Sequence, residues 1–312
     1  MKPIHRLLFL TAVVTASLSA FGGATGTVSF IVLSKEHDFI QTGPSTVADD
    51  PSHPFRLGVD VSGTNESAGF PSSPNQIAST PAGSGISGPL ALVAPDSFNN
   101  QWQFKSSSFS DAASLNAAFA AGTYSLQIGG QSFGLNIPVG NSGNNFLFPD
   151  TPTVTATNAT WLPDGTLFYD ERNGPLTLTS NTFATNAGTT VHLGINVDPS
   201  NGQPGGFADF SPQAFGSGSS SISQTFLNPS EFVDGTTYQV QLEFDNIVDG
   251  PYALGGALTG GQDVATYTTR TTFNMEVIPE PSTYAAIAGI LSLSLAVWRR
   301  RAVAKTWSSP HA

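Results

Sequence analysis

Few residues in this chain have the type and spacing to do chemistry, and none stands in a pattern that commits it to a reaction. Between the two ends of the chain lie three histidines, His37, His53 and His192. No H-E-x-x-H, G-x-S-x-G or phosphate-loop pattern surrounds them or occurs elsewhere. Each reads as an ordinary loop or strand residue. Acidic turns are more numerous: Asp49-Asp50, Asp164-Gly165 and Asp245-Asn246-Ile247-Val248-Asp249-Gly250. Their carboxylates are hard oxygen ligands of the kind calcium takes, but none completes a calcium-loop pattern, so plain turn chemistry is the expectation. Among so many carboxylates a glycosidase-like pair is always available, but sequence does not place two of them about 5 to 10 Å apart. Trp102, Trp161 and Tyr169 have flat faces that stack on sugars, although such residues more often fill a core. The expectation is a protein with no catalytic residues, no metal ligands and no cofactor.

Composition narrows the setting. The chain has no cysteine, which excludes disulfides, thiolate catalysis and cysteine-ligated zinc or iron–sulfur sites. Its 312 residues allow one or two packed domains. Only 11% are charged, and there are 32 Gly and 22 Pro, a balance that suits an extracellular protein of strands and turns better than a cytosolic enzyme. Charge is sorted by position. Of 11 Lys and Arg, Lys2, Arg6, Arg299, Arg300, Arg301 and Lys305 lie at the ends, and Lys35, Arg56, Lys105, Arg172 and Arg270 lie between. All 22 acidic residues lie from Glu36 to Glu280, which leaves the body at −17. A surface of that sign repels nucleic acid, whose phosphates need clustered cations, and attracts divalent cations loosely.

The ends speak about location. Residues 1–24 read as a secretory signal peptide: Lys2 and Arg6, an apolar run from Leu7 to Leu18, then small residues from Ser19 to Ala24. Near the other end, Val277-Ile278-Pro279-Glu280-Pro281-Ser282-Thr283 precedes an apolar stretch from Tyr284 to Trp298, and Arg299, Arg300 and Arg301 follow at once. Pro279 and Pro281 fix φ, lack amide hydrogens and hold the strip extended. Pro281 can open a helix, where its missing donor costs nothing. The fifteen residues from Tyr284 to Trp298 reach about 22 Å as a helix, short of a hydrocarbon core near 30 Å. Tyr284 and Trp298 suit the interfaces, and the arginines hold their end in the cytoplasm.

This three-part order resembles the PEP-CTERM sorting signal of exported bacterial proteins, over roughly the last 35 residues. The resemblance implies an exosortase partner, a membrane enzyme thought to recognise the Pro-Glu-Pro strip and cut near it. Pro279, Glu280 and Pro281 are then recognition residues of a substrate, and Arg299, Arg300 and Arg301 set topology. It also implies transient membrane anchoring by one helix, with transfer to the envelope surface, an extracellular matrix or a polysaccharide. The tail runs eleven residues past Arg301, further than the family usually does.

The elements between the ends read as strands. Alternation or β-branched enrichment marks Thr27–Leu33, Gly122–Ile128, Phe133–Ile137, Val154–Ala159, Thr166–Tyr169, Leu176–Thr179, Thr190–Val197, Thr237–Phe244 and Thr266–Val277. Gly129-Gly130 marks a hairpin turn. Asp111 to Ala121 is the best helical segment, with an Asp cap and several alanines. Thr42–Pro95 and Asn201–Ser223 read as long loops rich in Pro, Ser and Gly. The fold class expected is all-β: one or two β-sandwich (immunoglobulin-like) domains, an N-terminal signal peptide and a single C-terminal transmembrane helix. The domains expected are residues 25–149, with a long loop at 42–95, and 150–278, with Trp161 as a buried sandwich tryptophan. The sorting signal follows at 279–301 and a cytoplasmic tail at 302–312.

The function expected is a non-enzymatic, surface-sorted structural or adhesion-like protein of the bacterial envelope, with no nucleic-acid partner. The rivals are a secreted polysaccharide hydrolase and a carbohydrate- or calcium-binding module. A cleft with paired acids of raised pKa would favour the hydrolase, a strip of exposed aromatics sugar binding, and a smooth acidic surface a structural role.

Overall fold

The fold rests on strands whose side chains alternate between an apolar and a polar face. A computed structural model describes residues 28–63, 74–94, 101–139, 148–184, 190–199, 219–226, 232–233, 235–250, 262–278, 290 and 292–294. In chain order the strands are β1 (Val28–Gln41), β2 (Val47–Asp49), β3 (Phe55–Gly63), β4 (Gln76–Ser79), β5 (Leu90–Ala91) and β6 (Trp102–Lys105). The helix α1 (Ala112–Ala118) follows, and then β7 (Gly122–Ile128), β8 (Gln131–Ile137), β9 (Val154–Thr157), β10 (Ala159–Trp161) and β11 (Leu167–Asp170). The rest are β12 (Leu176–Ser180), β13 (Phe183–Ala184), β14 (Thr190–Pro199), β15 (Ser219–Ser220), β16 (Ser223–Phe226), β17 (Thr237–Asp249) and β18 (Gln262–Ile278). The protein is all-β, as expected.

Among the described residues, nine strands form the main sheet. Its spine is β18, 17 residues long. On one side β18 pairs antiparallel with β17, which pairs with β14. On the other it runs parallel first to β1 and, further along, to β11. β3 and β6 continue the sheet beyond β1, and β10 extends it beyond β11. One face of this sheet is apolar. There, Ile31, Leu33, Leu57, Val59 and Val61 meet Tyr124, Leu126 and Ile137 from the four-stranded sheet of β5, β4, β7 and β8, together with Leu115 of α1. Further along the same face of β18, Phe273, Met275 and Val277 join Leu193, Val240 and Leu242 against Leu176 and Leu178 from the sheet of β16, β12 and β9. The main sheet thus carries two cores.

The chain crosses between these cores at Pro149 to Pro152. Proline has no amide to donate, but its carbonyl accepts, and buried threonines of β18 supply the donors. Thr269 donates to the Pro149 carbonyl at 3.0 Å and Thr271 to the Pro152 carbonyl at 2.7 Å. Gln41 then clamps Val154 with two hydrogen bonds of 2.8 Å, one to each backbone group. A division of the chain at residue 149 therefore separates the cores' smaller sheets. It does not divide the main sheet, because β18 returns to pair with β1.

Several local expectations match. Gly129 and Gly130 both have positive φ, 57° and 80°, as a two-residue hairpin turn with this twist requires. Asp111 caps α1 by accepting from the Ser114 amide at 2.7 Å, though the helix stops at Ala118 rather than Ala121. The stretch from 42 to 95 differs from the loose loop expected, for it holds β2, β3, β4 and β5. β3 was hidden by its Pro-, Ser- and Gly-rich flanks, yet Phe55, Leu57, Val59 and Val61 alternate cleanly into the core. Trp161 is not a buried sandwich tryptophan: it is half-buried on β10, tilted against Phe273 at 5.1 Å. The signal peptide, the sorting strip from Pro279 to Pro281, the arginines 299–301 and residues 201–218 lie outside the described residues. Among the described residues, no helix is long and apolar enough to cross a membrane.

Among the described residues, one cation lies on the core side. Lys35 of β1 is fully buried, donating to the Phe119 carbonyl at 2.7 Å and to the Asn116 side chain. Burial lowers its pKa to about 7. The unfolded chain holds that proton to about pH 10.4, so the folded state gains stability from this group as pH rises from about 7 toward 10. Replacing Lys35 with Met should remove that rise, whatever it does to stability at neutral pH. Urea melts of both proteins at pH 6.5 and 9.5 check this; parallel pH profiles would refute it.

Candidate functional site

The face of the main sheet turned away from the cores is polar, and its charges converge. Glu36 of β1 is 1% exposed, the most deeply buried carboxylate on this face. Arg56 lies directly across from it on β3, and Arg56 Nε donates to Glu36 Oε2 at 2.6 Å. Lys105 reaches it from β6, Nζ to Oε1 at 2.7 Å, and Ser34 donates to the same oxygen at 2.8 Å. Arg270 of β18 adds a longer contact, Nη1 to Oε2 at 3.3 Å. The same cations engage further acids: Arg56 holds Asp38 at 2.9 Å and Lys105 holds Asp60 at 3.0 Å. Arg270 grips Glu243 of β17 through Nε at 2.9 Å and Nη2 at 2.8 Å. Opposite-charge pairs in register across strands stabilise a sheet, and desolvation strengthens each one here.

Lys105 reaches Glu36 only because Gly58 lies between them on β3. A Cβ there would come within 2.7 Å of Lys105 Nζ and 2.8 Å of Ser34 Oγ, and would fall on Glu36 Oε1. A side chain there would force these three groups to shift, and glycine lets them approach as they do.

Beyond Arg270 the network becomes acidic. Glu243 and Asp245 both lie on the polar side of β17, and His192 stands opposite Asp245 on β14. His192 Nδ1 and Asp245 Oδ2 are 2.8 Å apart, and Thr268 donates to Asp245 Oδ1 at 2.5 Å. Gln241 donates to Glu243 at 3.3 Å. These groups line a cleft of about 390 Å³ with Glu36, Arg56 and Lys105 on its other side.

The environment moves the ionisations apart. Burial pushes Glu36 up, but Lys105, Arg270 and Arg56 outweigh it and hold the carboxyl well below its usual range. Burial and the neighbouring Asp245 charge raise Glu243 to about 7, against the pull of Arg270. Burial raises Asp38 as well. For His192, burial acts downward, but the hydrogen bond to Asp245 and the charges of Asp245 and Glu243 raise it.

The sequence-level candidates are scattered by the fold, with one exception. His37 stacks on Phe55 at 3.8 Å and meets Asp49 at 3.1 Å, and His53 is exposed. Asp50 and Asp164 do serve as turn residues, accepting from Ser52 and Thr166 amides at 2.8 and 3.0 Å. Asp245 does not begin an acidic turn, since β17 continues to Asp249 and carries Asp245 into the buried network. Tyr169 is wholly buried, with its hydroxyl donating to the Gly174 carbonyl at 2.9 Å. Trp102 and Trp161 pack along core margins. His192 is a strand residue, as expected, and its strand carries it beside Asp245. Glu36, Arg56, Lys105, Glu243 and Arg270 were not singled out. The available signal was that three of the body's five cations alternate onto the polar side of their strands.

The chain matches no protein-family model and no curated protein sequence. Fold and site together define an all-β protein with a charged cleft on the polar face of a nine-stranded sheet.

Replacing Glu36 with Gln should cost about 3 to 5 kcal/mol at pH 7, because three buried or half-buried cations lose their shared partner. The depressed pKa of Glu36 places this stability above the unfolded value near 4.3, to be lost as pH falls. Urea denaturation should therefore show the gap between wild type and variant closing toward pH 3. A gap under about 1 kcal/mol at pH 7, the scale of an exposed pair, would remove the hub role assigned to Glu36.

Proposed function

We propose that this protein is exported from a bacterial cell, sorted to the envelope or extracellular matrix by its tail, and acts there by binding rather than catalysis. The observation that carries the binding role is the charged cleft of about 390 Å³, a depression lined by convergent polar and charged side chains of the kind that takes a polar ligand. The sorting role is supported by the order Pro279-Glu280-Pro281, apolar stretch, Arg299-Arg300-Arg301, with an exosortase as processing partner. The exposed Ile290 and Leu293, one turn apart, suit a segment destined for lipid before processing. On the same reading the body is a β-sandwich of the immunoglobulin-like kind, which the facing sheets across each core support. The partner class for the cleft is a polar ligand of the cell surface, an extracellular polysaccharide or a cation it carries.

A second reading has its own observation. Glu243, raised to about 7 beside Asp245 in a cleft, has the ionisation of a general acid, as a secreted hydrolase of polysaccharide needs. Its carboxylate is held by Arg270 on the same oxygen that Gln241 reaches, an arrangement better suited to holding than to proton transfer.

Two measurements test these statements. The mature protein recovered from its native host should begin between residues 20 and 25 and end within Pro279–Thr283, as read by intact mass and terminal peptides. A chain that retains Arg301 would make the tail a plain anchor and end the exosortase assignment. The full chain should co-sediment with polysaccharide from the host envelope without releasing new reducing ends. Release by wild type that Glu243→Gln abolishes would replace binding with hydrolysis.

A further inference from the structure

The ion pairs on the polar face are not balanced. Five carboxylates, Glu36, Asp38, Asp60, Glu243 and Asp245, face three fixed cations, Arg56, Lys105 and Arg270. Counted with every carboxylate ionised and His192 neutral, two negative charges are left over among these described residues; a proton on His192, which Asp245 and Glu243 favour, offsets one of them. The imbalance is also local. All three cations contact Glu36, whereas the polar contacts of Asp245 among the described residues are the His192 imidazole and the Thr268 hydroxyl. A buried carboxylate is costly unless a cation or its equivalent accompanies it.

At that acidic end, His192, Glu243 and Asp245 each bring one donor atom within 4.8 Å of those of the other two. They come from adjacent strands of one sheet: His192 and Asp245 are register partners, and Glu243 lies two residues before Asp245 on the same face. Sites built on strands hold ligand geometry better than sites on loops. Both His192 and Asp245 are buried, and the cleft beside them has room for a metal and its water.

We infer that His192, Glu243 and Asp245 form a site for a divalent transition-metal ion of the zinc class, with the fourth position open to the cleft. The geometry of the pair supports this directly. The His192 Nδ1 to Asp245 Oδ2 separation is 2.8 Å, with a proton between them. Two bonds of about 2.0 to 2.1 Å at a tetrahedral angle need their ends about 3.3 Å apart, so the ion enters the place of that proton with an opening of about half an ångström. One imidazole with two carboxylates favours zinc-like ions over calcium, which takes oxygen ligands in larger number. A divalent ion also cancels the two leftover charges. Thr268, donating to Asp245 Oδ1, and Arg270, holding Glu243 Oε2, are the outer groups that orient the two carboxylates.

The inference rests on reading the cleft as a binding site and does not depend on how the chain is sorted. Its test uses the metal-stripped full chain and zinc chloride alone, followed by calorimetry. Wild type should bind one zinc ion in the cleft, and His192→Ala and Glu243→Gln should each weaken that binding at least tenfold. In the unaltered chain, zinc should shift the ring resonances of His192 and leave those of His37 and His53 in place, a readout that needs no variant to fold. Cobalt(II) in place of zinc should give the visible absorption of a tetrahedral site. Absence of zinc binding at millimolar concentration, unchanged binding in both variants, or equal affinity for calcium would each overturn the inference. Such a failure leaves polysaccharide co-sedimentation untouched, so loss of the metal site and loss of the binding role are told apart.

Discussion

The structure depends on one carboxylate shared by three cations. Glu36 is buried on the polar face of β1, and Arg56, Lys105 and Arg270 reach it from β3, β6 and β18. The body has five basic residues, so this one site holds most of its positive charge. A buried carboxylate is costly without cations beside it, and these three meet there only if four strands hold one register. A slip of one residue along any of these strands would turn its charge into an apolar core. The network thus specifies the register of the main sheet as much as it adds to its stability.

That constraint explains the small devices around it. Gly58 sits where a side chain would crowd the Lys105–Glu36 contact. Ser34 takes a remaining hydrogen-bonding position on Glu36. On the opposite face the same strands hold two separate cores, and the crossing between them is tied down by Thr269 and Thr271 against the Pro149 and Pro152 carbonyls. Polar residues of β18 therefore do opposite tasks on alternate positions: Thr268 and Arg270 organise the cleft, while Thr269 and Thr271 dock the linker. The two tasks meet in β18, which explains why one long last strand can serve both halves of the chain.

The acidic end of the network is where charge is least evenly matched. Glu243 and Asp245 are held by Arg270, Thr268 and His192, yet their charge is incompletely offset. Self-repulsion of this kind opposes the ionised form of both carboxylates and favours positive charge beside them. Burial first, and the Asp245 charge after it, raise the pKa of Glu243, so a proton there does part of the work of a larger charge.

The sequence by itself determined the all-β character, the Gly129-Gly130 hairpin, the Asp111 cap and the Tyr238, Val240, Leu242, Phe244 face of β17, because those are set by neighbours a few residues apart. It also carried the order of motifs at the two ends. β3 was legible in its alternation but was outweighed by the composition of its flanks. The site was not legible. Glu36 and Arg270 are 234 residues apart, and His192 and Asp245 53. Each looks like a charged residue on the wet side of an ordinary strand. Only the tertiary structure decided that those wet sides face one another in a desolvated cleft, because strand order and register depend on which strands pair across the whole chain, and alternation within a strand does not encode its partner.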